Sequence, residues 1–327
     1  MARDGLGRFH CGRACYDKGV PDLAIHGVLP AVVTPFRDDE EIDGAALRNI
    51  IDHLIQAGVN GLFAGGSSGE FCTLDEKERT HSLRLCMEAA SGRVPVIGNV
   101  GSITTRETVR LARAAEEIGL DAIAIVTPYY LRPSQDELFE HYTAVCRAVR
   151  LPVLAYNFPQ HGGVGLEPKT LGRVAGACEN LIGIKDSGGS LEMAAAFLAC
   201  AERDLIVLVG PEKLTLAALE LGCAGVVTGC SNIVPGLFVE LYRAWREGRR
   251  AEAVRLQSLV DELASTVPLH PFPSILKEGM EQCGIPAGRC RQPVGPVPAE
   301  AARTVSGVLA KLAKEGFRTA APNGASA

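Results

Sequence analysis

Short apolar runs recur along the chain and alternate with longer stretches in which apolar residues follow a helical period. Eight runs are nearly continuous in apolar and β-branched residues, which is typical of buried parallel strands. They are Val28–Val33, Gly61–Ala64, Val94–Asn99, Ala122–Thr127, Val153–Asn157, Ile182–Lys185, Ile206–Gly210 and Ala224–Thr228. The amphipathic stretches between them include Gly44–Gln56, Leu74–Ala90, Thr105–Ile118, Gln135–Val149 and Leu191–Ala199. Strand–helix units of about 30 residues, repeated in this way, predict a (β/α)8 TIM barrel.

A doubly wound sheet is the structural alternative, but it needs a glycine-rich phosphate turn after the first strand. The first strand instead runs into Thr34, Pro35 and Phe36. Beyond about residue 235 the chain is predicted to be helical, at Pro235–Glu247, Ala251–Thr266, Phe272–Cys283 and Ala299–Ala313. We therefore predict a catalytic barrel over residues 26–248 and a C-terminal helical region over 249–318. An extension at 1–25 and a tail at 319–327 have little apolar content to bury, and we expect both to be disordered.

Composition narrows the class of protein. Of 327 residues, 47% are hydrophobic and 22% are charged, and the formal net charge of −5 makes nucleic acid an unexpected partner. No apolar stretch approaches the roughly 20 residues of a membrane span, and no signal peptide is evident. The 11 cysteines lack zinc-site spacing. We expect a reduced, cytoplasmic protein without a metal site.

Barrel enzymes carry their chemistry at the C-terminal ends of the strands. Of the eight lysines, Lys185 alone ends an apolar strand, whereas the other seven lie in helical or loop contexts that require only solvation. A lysine buried in a barrel mouth has a lowered pKa, so its neutral amine can attack a carbonyl. The alternative is a structural ion pair with Asp186 or Glu212, and strand position alone does not separate the two.

Two further strand ends add to the candidate site. Tyr156 ends the strand next to Lys185, where a phenol can transfer protons, although a core tyrosine is the simpler explanation. Ser67 and Ser68 form a turn that can bind a carboxylate, although such a turn can also serve only as a helix cap. His161 follows on the loop after Tyr156 and is a candidate specificity residue, with a solvated loop histidine as the alternative. Together Lys185, Tyr156, Ser67 and Ser68 predict a site for a 2-oxo carboxylate.

An ordered set of motifs resembles the dihydrodipicolinate synthase / N-acetylneuraminate lyase superfamily of pyruvate-dependent class I aldolases. The set is Thr34-Pro35-Phe36, Gly66-Ser67-Ser68-Gly69-Glu70, Pro128-Tyr129-Tyr130, Tyr156-Asn157-Phe158-Pro159, Gly183-Ile184-Lys185-Asp186 and Gly225-Val226-Val227-Thr228-Gly229. The resemblance spans roughly residues 26 to 310. Each motif is weak alone, but their order and spacing together are specific.

The resemblance implies a role for each matching position. Lys185 matches the Schiff-base lysine and Tyr156 the proton-transferring tyrosine. Ser67 matches a hydroxyl relay position, and Ser68 the neighbouring position that binds the pyruvate carboxylate. Tyr130 and Val227 complete the set: the first matches a tyrosine that reaches into a partner subunit's site, and the second a residue whose backbone carbonyl faces pyruvate. It further implies a tetramer built from tight dimers and covalent chemistry without a metal or organic cofactor.

Departures from the family pattern bear on the substrate. Dihydrodipicolinate synthases carry an arginine shortly after the Tyr-Asn-x-Pro motif, and it clamps the carboxylate of the aldehyde. Gln160, His161 and Gly162 stand there instead, and a histidine does not replace a bidentate guanidinium. We therefore predict reversible cleavage of a 2-keto-3-deoxy or 4-hydroxy-2-oxo acid to pyruvate and an aldehyde. The alternatives are dihydrodipicolinate synthase itself, a keto-deoxy sugar acid dehydratase of the same superfamily, and a non-catalytic barrel that binds 2-oxo acids.

Overall fold

The computed structural model describes residues 25–317. The predicted tail at 319–327, and the predicted extension apart from its last residue, lie outside the described residues. That last residue, Ile25, is buried in the cluster of side chains that fills the barrel.

Eight strands form wherever the apolar runs predicted them, with ends that differ by a few residues. In chain order they are β1 (Gly27–Pro30), β2 (Leu62–Ala64), β3 (Val96–Asn99), β4 (Ala122–Val126), β5 (Val153–Asn157), β6 (Leu181–Asp186), β7 (Ile206–Val209) and β8 (Gly225–Thr228). Nearly every strand residue is buried, which explains why the runs are continuously apolar and do not alternate with polar residues.

All strands are parallel and follow the order β1-β8-β7-β6-β5-β4-β3-β2. The ring closes between β1 and β2 through a bridge from Ala31 to Phe63, where the Val32 N–H donates to the Phe63 carbonyl at 2.9 Å. The predicted TIM barrel is confirmed. All eight strands therefore end at the same rim.

Helices cover the outside of the barrel. They are α1 (Gly44–Gln56), α2 (Glu76–Ala90), α3 (Thr105–Ile118), α4 (Gln135–Ala148), α5 (Pro159–Gly162), α6 (Pro168–Ala177), α7 (Leu191–Leu198), α8 (Thr215–Leu221) and α9 (Pro235–Arg246). Helices α2 and α4 begin with capping boxes at Asp75 and Ser134. In each, the capping side chain accepts from the N–H of the third helical residue, a glutamate, whose carboxylate accepts from the N–H of the capping residue. Helices α5 and α6 were not among the helical stretches predicted from the sequence.

Three more helices follow the barrel: α10 (Arg250–Ala264), α11 (Ser274–Gln282) and α12 (Ala299–Lys314). One expectation for this region is wrong. Lys277 on α11 was expected to need only solvation, yet its side chain is 2% exposed and pairs with Glu70. The amphipathic pattern placed Lys277 on a helix but gave no sign of the carboxylate that it meets.

Two layers of apolar packing hold the barrel. The larger layer joins the outward faces of the strands to the helices. The smaller layer fills the interior with alternate strand residues, among them Leu29, Phe63, Leu154, Leu208 and Val227. Tyr156 belongs to this interior layer, near the C-terminal ends of the strands. The packed interior therefore supports a site at the C-terminal rim of the barrel.

No helix within residues 25–317 combines the length and apolar character that crossing a membrane requires.

One glycine marks a close approach of backbones inside the sheet. The register of β5 against β6 shifts between Val153 and Leu154, which leaves Gly183 beside β7. A Cβ atom on Gly183 would lie 2.0 Å from the carbonyl oxygen of Ile206. Because both groups belong to backbone in the sheet, neither can move away without separating β6 from β7.

We expect Gly183→Ala to lower the free energy of unfolding by about 1–3 kcal/mol, a typical cost of overpacking. Gly307→Ala is the matched control, since Gly307 lies inside α12 with nothing near its Cβ position. That change should raise the free energy of unfolding by about 0.5–1 kcal/mol through helix propensity. Urea unfolding followed by circular dichroism measures both, and equal effects of the two changes would contradict the close approach.

Candidate active site

A cavity of about 150 Å³ opens at the C-terminal rim of the barrel. It is lined by Ala31, Ser67, Ser68, Tyr156, Phe158, Lys185, Ser187, Gly210, Pro211, Glu212, Val227, Gly229 and Phe272. Most of these residues end a strand or directly follow one. Five predicted site residues, Lys185, Tyr156, Ser67, Ser68 and Val227, therefore line one cavity.

Lys185 projects into the barrel from β6 and is 4% exposed. Its Nζ lies 4.0 Å from the ring centroid of Tyr156 and 4.3 Å from that of Phe63. Burial lowers the pKa of the Lys185 amine to about 7, and the charge of Glu212 opposes this shift. At neutral pH a large fraction of the amine is therefore unprotonated and nucleophilic.

The structural ion pair considered for Lys185 is not formed. The Asp186 carboxylate accepts from the Asn157 side-chain amide at 2.8 Å and from the Gly188 N–H at 3.0 Å. Glu212 Oε1 accepts from the N–H groups of Gly229 and Cys230, at 3.0 and 3.1 Å. Both carboxylates hold backbone in place, which leaves the Lys185 amine to the cavity.

Tyr156 places a phenol beside that amine. Its hydroxyl lies 3.1 Å from Ser67 Oγ, and Ser187 is a second hydrogen-bond partner. Burial raises the pKa of Tyr156 to about 12, although both serine partners act to lower it. The phenol is therefore protonated at neutral pH and can pass a proton along the Ser67–Tyr156 hydrogen bond.

The turn that carries Ser67 and Ser68 is tied down on several sides. Within it the Gly69 N–H donates to the Gly66 carbonyl at 3.0 Å, and Thr34 Oγ1 donates to the Gly69 carbonyl at 2.8 Å. Within residues 25–317 the N–H groups of Ser67 and Ser68 have no acceptor. Two free N–H groups and two hydroxyls at the cavity wall are the groups that an anionic ligand needs.

Two predicted residues do not reach the cavity wall. His161 is exposed on α5, and its ring packs 4.3 Å from that of Phe158, which does line the cavity. Tyr130 is 91% exposed and has a positive φ of 71° on the loop after β4. In a single chain neither side chain forms part of the cavity.

Several lining residues were missed as site residues in the sequence. Ser187 and Glu212 follow β6 and β7, so a fuller reading of the strand ends would have found them. Phe158 lay inside a quoted motif without a role. Phe272 comes from the segment before α11, and no local pattern indicates that this segment covers a barrel rim.

Charge in the cavity wall is sparse. Lys185 is the only lysine or arginine among the lining residues, and Glu212 is the only carboxylate. Within the described part of the chain, no group of three histidine, cysteine or carboxylate side chains has a metal-binding arrangement. The covalent and acid–base groups at hand are the Lys185 amine, the Tyr156 phenol and the serine hydroxyls.

A model of the dihydrodipicolinate synthetase family matches residues 24–312. Among curated relatives, the 4-hydroxy-tetrahydrodipicolinate synthase of Methanopyrus kandleri is 36% identical over 83% of this chain and 90% of its own. The 4-hydroxy-tetrahydrodipicolinate synthase 1 of Halalkalibacterium halodurans is 34% identical over 86% of this chain and 95% of its own.

Solved structures agree with this assignment. YagE of E. coli K12, a prophage protein of the dihydrodipicolinic acid synthase family solved with pyruvate, superposes with a TM-score of 0.86. It is 32% identical and the match covers 88% of this chain and 99% of that one. The 4-hydroxy-tetrahydrodipicolinate synthase of Methylacidiphilum fumariolicum SolV gives a TM-score of 0.85 at 30% identity, over 89% and 97% of the two chains. The chain therefore belongs to the dihydrodipicolinate synthetase family and is a lyase, a pyruvate-dependent aldolase of class I.

Proposed function

We propose that the protein captures a pyruvate-type 2-oxo acid as an imine on Lys185. Through that imine it reversibly cleaves a 2-keto-3-deoxy or 4-hydroxy-2-oxo acid to pyruvate and an aldehyde. The observation that carries the proposal is a buried amine with a pKa of about 7, in one cavity with the Ser67–Tyr156 hydrogen bond.

Imine formation needs a neutral amine and a proton shuttle. The Lys185 nitrogen adds to the substrate carbonyl, and the resulting carbinolamine loses its hydroxyl as water. As the nitrogen adds, one of its protons passes through Tyr156 and Ser67 to the carbonyl oxygen. Tyr156 then donates the proton that the departing water needs, which leaves a protonated imine and a Tyr156 phenolate that can accept the next proton. No metal or organic cofactor enters this scheme, because the covalent work is done by the lysine.

Carbon–carbon cleavage then uses the imine as an electron sink. The Tyr156–Ser67 pair removes the proton of the C4 hydroxyl, the aldehyde carbonyl forms, and the C3–C4 bond electrons pass to the protonated imine. The product is an enamine of pyruvate, which takes a proton at C3 and is hydrolysed to free Lys185. Each step is reversible, so the same groups also serve the condensation.

Ser67 and Ser68 bind the carboxylate of the 2-oxo acid. Their N–H groups have no other acceptor within residues 25–317, and both residues line the cavity close to Lys185. Val227 on β8 lines the same cavity, and we assign it the contact with bound pyruvate through its backbone carbonyl. A carboxylate fixed at one end orients the substrate carbonyl toward the amine.

We further infer that Tyr130 acts across a subunit interface, in a tetramer built from tight dimers. A tyrosine that is 91% exposed and held at positive φ has no role within its own chain that would explain this conformation. In the assembly it joins the proton relay of the neighbouring subunit. The cysteines within residues 25–317 are all free thiols, which supports a reducing, cytoplasmic location.

Charge in the cavity wall supports an uncharged aldehyde partner. Glu212 repels a second carboxylate, and Lys185, the one lysine or arginine of the lining, is already bonded to the 2-oxo acid. Hydroxyl groups of an uncharged sugar-type aldehyde can instead donate to Glu212. His161 remains a candidate for specificity from the loop behind Phe158.

The second candidate is 4-hydroxy-tetrahydrodipicolinate synthase activity, favoured by the names of the curated relatives. That reaction joins pyruvate to aspartate semialdehyde, which carries a carboxylate. In the segment after Tyr156, Gln160 donates to the Gly188 carbonyl and His161 packs on Phe158, and neither offers a guanidinium. The charged residues of the cavity wall therefore make this reaction the second candidate.

We expect Lys185→Ala to abolish turnover and to leave the fold intact. Borohydride reduction with pyruvate, followed by peptide mass mapping, should add a 1-carboxyethyl group to the Lys185 peptide of the wild type and nothing to the variant. Lys213→Ala is the matched control, because Lys213 is an exposed lysine at the same rim and should keep the adduct. An adduct on another lysine, or turnover in pure Lys185→Ala protein, would contradict the assignment of Lys185 as the imine-forming residue.

The rate of imine formation at subsaturating pyruvate should rise with pH through a midpoint near 7, as the Lys185 amine loses its proton. Glu212 holds the pKa of that amine up, so Glu212→Gln should move the midpoint to lower pH. The glutamine oxygen can still accept from the Gly229 and Cys230 N–H groups. A midpoint near 10, or an upward shift in Glu212→Gln, would contradict the electrostatics described for this cavity.

Aldehyde preference separates the two candidate reactions. With pyruvate at saturation, we expect kcat/KM for glyceraldehyde to exceed that for aspartate semialdehyde by about tenfold or more, because like-charge contact costs at least about 1.4 kcal/mol. Glu212→Gln should reduce this ratio of kcat/KM values. The pyruvate concentration at half-saturation, measured without an aldehyde, serves as the control. A wild-type preference for aspartate semialdehyde would establish the second candidate instead.

A further inference from the structure

A fully buried ion pair joins the C-terminal region to the serine turn. Lys277 Nζ on α11 lies 2.6 Å from Glu70 Oε1, and the two side chains are 2% and 4% exposed. The same amine donates to the Arg289 carbonyl at 2.8 Å and lies 4.4 Å from the ring centroid of Phe36. The Lys277 amine is thus contacted by a carboxylate, a backbone carbonyl and an aromatic ring. Its side chain has almost no contact with solvent.

Glu70 ends the turn that carries Ser67 and Ser68, and its backbone is unusual. Its φ of 55° is left-handed, a conformation that a residue with a side chain adopts only when its surroundings hold it there. The second carboxylate oxygen accepts from the Arg291 N–H at 3.0 Å, and the Glu70 carbonyl accepts from the Thr73 N–H at 2.9 Å. Contacts from the C-terminal region therefore fix both oxygens of this side chain.

A short path connects this ion pair to the cavity. The Glu70 N–H donates to the Ser67 carbonyl at 3.1 Å, and Ser67 Oγ lies 3.1 Å from the Tyr156 hydroxyl. Leu276, which precedes Lys277 on α11, lies 2.8 Å from the Cβ position of Gly229, and Ser68 Oγ lies 3.4 Å from the same point. Ser68 and α11 therefore both border Gly229, and the turn is hydrogen-bonded to its anchor at Ser67.

A buried ion pair is a weak source of stability, since apolar residues of similar volume fold as well or better. What a charged pair does supply is a defined distance and direction between two elements. Glu70 and Lys277 belong to segments far apart in the chain, and their contact sets where the turn lies relative to α11.

We infer that Lys277, through Glu70, is a positioning residue for the carboxylate-binding turn, so that helix α11 is a working part of the active site. The inference rests on the proposed binding of the 2-oxo acid carboxylate by Ser67 and Ser68. It assigns Lys277 no contact with substrate. Its loss should weaken recognition of the carboxylate and leave the equilibrium of imine formation on Lys185 with carbonyls that lack a carboxylate unchanged.

The test compares two carbonyl compounds that differ by the carboxylate. Pyruvate and acetone are each titrated against the full-length protein, and the imine on Lys185 is trapped with cyanoborohydride and measured by intact mass. The variants are Glu70→Gln, Lys277→Met and the two combined, where the neutral combination avoids leaving one buried charge unpaired. Glu262→Gln with Lys311→Met is the matched control, an exposed ion pair between α10 and α12 in the same region.

We expect the pyruvate concentration at half-saturation to rise about tenfold or more in all three variants. The acetone concentration at half-saturation, measured after equilibration, should stay within about twofold of the wild type, and the control should change neither. If pyruvate and acetone weaken equally, or if melting temperature falls while half-saturation by pyruvate does not change, the pair serves only the fold and the inference is overturned. A wild type that forms no pyruvate adduct would overturn the proposed function as well, which distinguishes the two failures.

Discussion

The amine of Lys185 is held out of water, and the other groups of the cavity are arranged around that constraint. Removing an ammonium group from water is costly, so a lysine in this position gives up its proton. The rings of Phe63 and Tyr156 exclude solvent on two sides, and the carboxylate of Glu212 limits how far the pKa of the amine falls. The packed interior of the barrel supplies this environment without any group dedicated to it.

The site is divided between parts of the chain that differ in how they are held. Lys185 and Tyr156 lie on adjacent strands in register, so their separation is set by the sheet. Ser67 and Ser68 lie on a turn, and a turn needs contacts from elsewhere to keep its shape. Those contacts come from Thr34 in the barrel and from the C-terminal region through Glu70. The helices after the barrel therefore also hold the turn that carries Ser67 and Ser68.

Much of this could be predicted from the sequence because parallel strands buried on both faces leave a simple signal. The continuous apolar runs gave all eight strands, and the strand ends gave the lysine, the tyrosine and the serine turn. Helices α5 and α6 left weaker signals, since α5 has only four residues and α6 carries two glycines.

Contacts between distant segments left no local signal. The pattern around Lys277 describes an ordinary amphipathic helix, and only the fold brings Glu70 to it. Phe272 reaches the cavity for the same reason. The exposed loop positions of Tyr130 and His161 show the reverse limit: a motif match supplied their candidate roles, but the geometry of one chain does not bring them to the cavity.

The seam between β1 and β2 links the reactivity of the Lys185 amine to local opening of the barrel. Phe63 closes this seam through its backbone and shields Lys185 through its ring, so one residue serves both. The seam is a bridge without a continuous ladder, and such places open more readily than regular sheet. Water admitted there would return the lysine to its charged form at neutral pH, and the nucleophile would be lost while the barrel was still folded. Substitutions on the outer helices α1 and α2, which pack against each other over this side of the barrel, could thus silence the enzyme without touching the cavity.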